Sequence, residues 1–164
     1  MQQLIRWVTG LLLGSGVLCS KVMFDFKGMF NILKYEKQHE SELLTLLKQE
    51  PDWNLFTSEL TIDTFREVLL TSESYICQSQ GVICGYLRAL VDGFGVYVSE
   101  LYVAPAYRKN GYGKALLNKV KQTHVDQVVY VFSDEDEYYE KLGFQRIGSI
   151  FQVKPTPNPS LEGN

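Results

Sequence analysis

Ser99-Glu100-Leu101-Tyr102-Val103-Ala104-Pro105-Ala106-Tyr107-Arg108-Lys109-Asn110-Gly111-Tyr112-Gly113-Lys114-Ala115-Leu116-Leu117 reads as strand, tight loop and helix. An apolar, β-branched and aromatic run from Gly95 to Val103 stops at Pro105, which has no N–H to give a ladder. A helical pattern of Ala115, Leu116, Leu117 and Val120 begins just after Gly113. The loop between them is therefore a helix N-terminus, and it carries Arg108, Lys109 and the pair Gly111-x-Gly113. Glycines let backbone N–H groups close on an anion with no Cβ in the way, while the helix dipole and basic side chains add positive potential. The chemistry expected is phosphate or pyrophosphate binding, although a plain tight turn needing φ > 0 would use the same glycines. Neither G-x-x-x-x-G-K-[ST] nor G-x-G-x-x-G is present.

Composition narrows the setting of that loop. At 164 residues, 45% hydrophobic and 13% aromatic, the chain can bury one substantial core. A net charge of −3, with no basic stripe interleaved with aromatics, argues against nucleic acid as partner and suits a small cationic or neutral substrate better. Cys19, Cys77 and Cys84 lack metal-ligand spacing and the two histidines lie far apart, so no metal is expected. Cys77 and Cys84 flank a turn at Gln78-Ser79-Gln80-Gly81 and could face each other across a hairpin. They read as reduced, half-buried strand cysteines if the compartment is reducing.

Residues 1–28 differ in character from the rest of the chain. Arg6, an apolar run from Trp7 to Cys19, then Ser20-Lys21 have the layout of a signal peptide, too short for a comfortable transmembrane helix. The competing reading places the natural start at Met23 or Met29. From Phe30 the pattern is orderly: a strand over Asn31–Tyr35, a helix over His39–Gln49 stopped by Pro51, and a second helix from Thr61, with Thr61 as N-cap. Ser74–Gln78 and Val82–Leu90 read as a hairpin, Asp92-Gly93-Phe94-Gly95 as a turn, and Gln127–Phe132 as a buried parallel strand. Next come an acidic helix start at Asp134–Glu137, a stop at Gly143 and a final strand over Phe144–Val153. Residues 155–164 read as a disordered tail beyond a domain spanning 29–154.

Arg108-x-x-Gly111-x-Gly113, directly after a strand ending Leu101-Tyr102-Val103-x-Pro105-x-Tyr107, resembles the acyl-CoA-binding motif of the GNAT superfamily of N-acetyltransferases. Tyr139-Glu140-Lys141-Leu142-Gly143-Phe144 resembles the second signature of that family, Tyr-x-x-x-Gly-Phe, and the order of elements over about Phe30–Val153 is the GNAT order. The resemblance implies an α/β (α+β) fold. Its central sheet would be mixed and mostly antiparallel, of six to seven strands flanked by about four helices, and splayed at an acetyl-CoA site.

It further implies that Leu101 and Val103, with Tyr102 between them, pair with the pantetheine arm through their main chain. Arg108 and the amides of Lys109, Asn110, Gly111, Tyr112, Gly113 and Lys114 would hold the pyrophosphate. Ser133 stands where the family often has asparagine in contact with the coenzyme. Tyr139 matches the general acid, its plainer reading being a hydrogen-bonded core tyrosine. Many relatives carry a glutamate where this chain has Ser99; Glu100 fills an acidic position common in relatives acting on polyamines and aminoglycosides, as an amine contact or as a structural carboxylate. Trp53 and Phe56 are candidate acceptor-pocket walls or ordinary core aromatics. Asp92, Glu100 and Asp134–Glu137 would make the acceptor side acidic if they converge. The activity implied is direct acetyl transfer from acetyl-CoA to a primary amine, small or peptidic, with a small cationic amine such as a polyamine or aminoglycoside as the candidate acceptor, in the cytoplasm, with a homodimer left open. Alternatives from other classes are a non-catalytic acetyl-CoA-binding sensor and a membrane-associated interaction module.

Overall fold

The computed structural model describes residues 30–153, so the readings made of residues 1–28 and of the tail, and Cys19, lie outside the described residues. The described chain runs β1 (Phe30–Lys34), α1 (Glu40–Leu47), α2 (Asn54–Thr57), α3 (Ile62–Thr71), β2 (Glu73–Ser79), β3 (Val82–Val91), β4 (Gly95–Val103), α4 (Tyr112–Thr123), β5 (Val128–Val131) and α5 (Asp136–Lys141). The strands form one sheet in sequence order, antiparallel from β1 to β4 and parallel between β4 and β5. A mixed, mostly antiparallel α/β fold is thus what forms, with five strands among the described residues.

Period-2 alternation along the central strands feeds two cores, one on each face of the sheet. On one face Ile83, Tyr86 and Tyr102 meet Leu43, Leu44 and Leu47 of α1 and Phe65 and Leu69 of α3. On the other, Cys84, Leu87, Ala89, Val96 and Val98 meet Leu116, Leu117 and Val120 of α4. The helical spacing of those leucines, each worth roughly 1.5–3 kcal/mol when buried, is what seats the helices. Thr61 does occupy the N-cap of α3, yet its hydroxyl pairs with Ser58 Oγ at 2.8 Å and makes no cap bond.

Two expectations about strands fail. Residues 144–153 form no strand: Ile147, Ile150, Phe151 and Val153 stay 66–92% exposed, and no ladder partner stands beside them among the described residues. An apolar pattern needs a neighbour to pair with before it becomes a strand. For the same reason β5 is the sheet edge, with Val128 exposed and the rest half-buried. The hairpin cysteines, by contrast, lie deeper than half-buried. Cys77 and Cys84 are both fully enclosed and free, their sulfurs 3.6 Å apart beside a register shift just after Cys77.

Candidate active site

A second register shift positions the site. Arg88 pairs with Glu100 but Ala89 pairs with Val98, so Ser99 is an extra residue in β4, a β-bulge. Before it, the Val98 carbonyl accepts from Phe132 N–H at 3.0 Å, on the β5 side. After it, the Ala104 N–H donates to Cys84 O at 2.9 Å, on the β3 side. Main-chain groups alternate sides along a strand, so Glu100 and Tyr102 face β3 while Leu101 and Val103 turn their N–H and C=O groups to the other edge. There β5 has already parted from β4, whose last parallel partner is Val98. The sheet is therefore splayed, and among the described residues no strand pairs with this edge of β4 at Leu101 and Val103. The Arg108 Nε donates to the Val103 carbonyl at 2.9 Å, which ties the adjoining loop to that edge.

The chain leaves β4 through a 3-10 turn over Pro105–Tyr107 and enters α4 with Gly111 as N-cap at φ +81°. Lys109 is also left-handed, at φ +64°. The first turn of α4 contains no acidic residue and no side chain caps it, so the N–H groups of Tyr112, Gly113 and Lys114 stand as free donors at the positive end of the helix dipole. Asn110 stabilises the loop internally, its Nδ2 donating to the carbonyls of Tyr107 (3.0 Å) and Arg108 (3.2 Å). The Tyr112 side chain is buried, packed on Phe30 with its hydroxyl 3.3 Å from Ser79 Oγ, so only its main chain faces the loop.

Gly111→Val should weaken coenzyme A binding more than tenfold, since a β-branched residue is strained at that φ and the loop amides would be displaced; calorimetry reads it. Gly113 serves a different purpose. A Cβ there would collide with the Tyr138 hydroxyl, while the ring carbon bearing that hydroxyl is 3.4 Å away, an ordinary contact. Gly113→Ala is therefore expected to lower the thermal midpoint, and Tyr138→Phe added to it to restore most of the loss, a non-additivity that a double-mutant cycle measures.

The second signature is a helix stop. Phe144 N–H donates to Tyr139 O (3.0 Å) and Gly143 N–H to Glu140 O (2.9 Å), with Gly143 at φ +82°. Those two bonds make a Schellman motif, and its hydrophobic contact is Phe144 stacked on Tyr139, ring centroids 6.3 Å apart at 24°. Tyr139 is packed against the α4-side core, which Leu101 and Val103 also border. Burial, and then the charges of Tyr138, Asp134 and Glu135, push its phenol up to about 12. Ser133 sits exposed past the end of β5.

On the opposite face Glu100 is buried and bound on both oxygens. Arg88 Nε donates to Oε2, Arg88 Nη2 to Oε1 at 2.6 Å, and the Tyr86 hydroxyl to Oε2 at 3.3 Å. Sequence alone gives no sign of Arg88 as the partner. Its pairing depends on the bulge, which no residue of the β4 sequence announces. Trp53, half-buried, packs against the core among Phe56, Tyr86 and Tyr102, its ring 5.4–5.6 Å from theirs. The Tyr102 hydroxyl donates to Glu50 Oε1 at 2.9 Å, and burial together with that carboxylate raises its pKa to about 12. Phe56 also lines a cavity between α2, α3 and β3 that Arg88 closes. The expected acidic convergence does not form. The Asp92 carboxylate caps the β3–β4 turn, accepting from Phe94 and Gly95 N–H at 2.8 and 2.9 Å, at the end of β4 away from the loop.

Residues 71–146 match the family model of the acetyltransferase (GNAT) domain. The fold is similar to that of the aminoglycoside N-acetyltransferase AAC(6')-Iy in complex with CoA, with a TM-score of 0.64 and 20% identity over 77% of this chain and 95% of that one. It is also similar to the aminoglycoside acetyltransferase meta-AAC0020 from an uncultured soil metagenomic sample, in complex with sisomicin (TM-score 0.56, 15% identity, 76% and 97% covered). A transcriptional regulator from Bacillus halodurans C-125 shares the fold as well (TM-score 0.61, 13% identity, 77% and 99% covered). No curated protein matches the chain in sequence. Over residues 71–146, from the end of α3 to just past α5, the chain is thus similar to the acetyltransferase (GNAT) domain.

Proposed function

We propose that the protein transfers an acetyl group from acetyl-CoA directly to a primary amine, in the cytoplasm where that thioester is available. The observation that carries the reading is the continuity of two binding surfaces: the edge of β4 at Leu101 and Val103, without a strand partner among the described residues, leads within ten residues into the uncapped first turn of α4. An extended amide-bearing arm can add to the first as a strand, and a pyrophosphate can accept from the N–H groups of the second. The residues present fit such a group, since nothing acidic opposes it in that turn and Gly111 leaves the approach open. Lys109, Lys114 and Arg108 would add positive potential there.

Transfer requires an uncharged amine to attack the thioester carbon, the C–S bond to break and the sulfur to be stabilised as negative charge grows. Tyr139 is the group we assign to the sulfur. With its phenol pushed up to about 12, well above the roughly 8.5 of an ordinary thiol, complete proton transfer to the thiolate would be uphill. Tyr139 therefore acts as a hydrogen-bond donor that strengthens as charge develops, and the proton lost by the nitrogen supplies the thiol. Glu100, held by Arg88 on both oxygens, is a structural carboxylate in this scheme and the amine loses its proton to water. Because the Tyr139 phenol stays protonated far above neutrality, kcat/KM should rise with pH through the pKa of the acceptor amine and then stay flat to about pH 10. A fall near pH 8–9 would assign the donor role to another group.

The test is a pair of measurements on the full chain: calorimetric titration with coenzyme A, and thiol release from acetyl-CoA with a panel of amines. Binding without release from any amine would instead support a sensor. Among the described residues no helix is long and apolar enough to cross a membrane.

A further inference from the structure

The cavity walled by Leu55, Phe56, Phe65 and Val68, with Thr64 at its rim and Arg88 at its end, has a volume of about 250 Å3. It lies on the α1 and α3 face of the sheet, the face that Glu100 shares with Arg88 and opposite the one where Tyr139 packs. A molecule seated in this cavity would lie on the face of the sheet that the loop and Tyr139 leave free.

Size and charge define what fits. A cavity of about 150 Å3 takes a benzene molecule, whereas drug-sized ligands fill roughly 300–1,000 Å3, so this one holds a single ring or short branched chain and not several linked sugars. Its walls are hydrocarbon apart from the two threonines, Thr61 and Thr64, and Arg88, and no carboxylate lines it. The nearby carboxylate, Glu100, already spends both oxygens on the Arg88 guanidinium and its side chain is only 6% exposed. Arg88 also donates through Nη1 to Ser72 Oγ at 3.2 Å, which fixes the pair in place. A second or third ammonium entering here would lose its water and find no counter-charge.

We infer that the acceptor is a monoamine on a compact apolar body, ring-sized or branched, and that this cavity excludes polycationic aminosugars and polyamines. The inference rests on the acetyl-transfer reading and narrows its substrate class. Binding of benzylamine, neamine and spermidine to the full chain saturated with CoA, by equilibrium dialysis, tests it alongside thiol release from acetyl-CoA with each amine. Benzylamine is expected to bind at least tenfold more tightly than either polycation and to be the better substrate by a similar factor in kcat/KM. Thr64→Glu, at the exposed rim, should reduce that preference at least fivefold by providing a carboxylate; if it does not fold, Leu55→Glu at the same rim reads the same effect. Equal or tighter binding of neamine or spermidine, or no binding of benzylamine, overturns the inference. Acetylation of the polycations in preference would do so while leaving acetyl transfer standing. Benzylamine binding to a chain that neither binds CoA nor releases thiol would sink the transfer reading and leave the cavity assignment intact.

Discussion

Glu100→Ala is expected to lower folding stability by about 3–5 kcal/mol, because it leaves the Arg88 guanidinium, 12% exposed, with no counter-charge in the sheet interior. For a domain of this size that is a fall of roughly 10–20 °C in thermal midpoint. The hydrogen bonds from Arg88 make the pair act as one unit, and they hold the guanidinium more firmly protonated than usual. Arg88→Met in the Glu100→Ala background should therefore recover much of the loss. It should not recover all of it. The Tyr86 hydroxyl, fully buried and hydrogen-bonded to Glu100, stays without its acceptor at a cost of about 1–3 kcal/mol. The double variant also separates structure from chemistry, since it is stable enough to assay yet carries no carboxylate at position 100. Single-turnover acetyl transfer within about threefold of the parent protein is the expected result. A loss of a hundredfold or more in that folded double variant would make Glu100 a base or an amine contact and would remove the purely structural assignment.

Legibility in the sequence depends on where each signal resides. The strand, loop and helix from Gly95 to Val120 were legible because Pro105, the two glycines and the leucine spacing are local signals, and local signals decide backbone conformation. Gly111 proved to be the left-handed residue that the loop requires. Gly113 proved to answer a tertiary contact, the Tyr138 phenol, which no pattern of neighbours in sequence reveals. The bulge at Ser99 had no signal at all, since serine is unremarkable in a strand, yet it sets both the open edge and the pairing of Glu100 with Arg88. The residue types of the acidic positions suggested an acidic acceptor side; the structure shows one carboxylate paired with Arg88 and another spent on a turn. Phe144–Val153 carries strand composition without a strand, because pairing is a property of the neighbour and not of the segment. Trp53 and Phe56 could not be told apart by sequence: both are aromatic in one connection and both pack half-buried on the same core, and only tertiary structure adds Phe56 to the cavity wall.

Tyr139→Phe is expected to slow the chemical step by roughly a hundredfold to a thousandfold and to leave coenzyme A affinity unchanged. The hydroxyl can go without disturbing the scaffold. The Schellman bonds are main-chain, and the stacking on Phe144 uses the ring, so phenylalanine preserves both. Burial already keeps the phenol neutral, so its removal alters no charge that the resting protein carries at neutral pH. What is lost is a donor aimed at charge that exists only as the C–S bond breaks, an interaction that contributes to the transition state and little to the bound ground state. The effect must be read in single turnover with saturating acceptor, because slow product release can mask it in steady state. Tyr138→Phe is the matched control. Its hydroxyl rides over Gly113 at the start of α4, so its loss should relax that contact and change the rate of transfer less than threefold. Parent-like single-turnover rates in Tyr139→Phe would remove Tyr139 from the reaction, and a large loss in Tyr138→Phe instead would move the donor one residue back along α5.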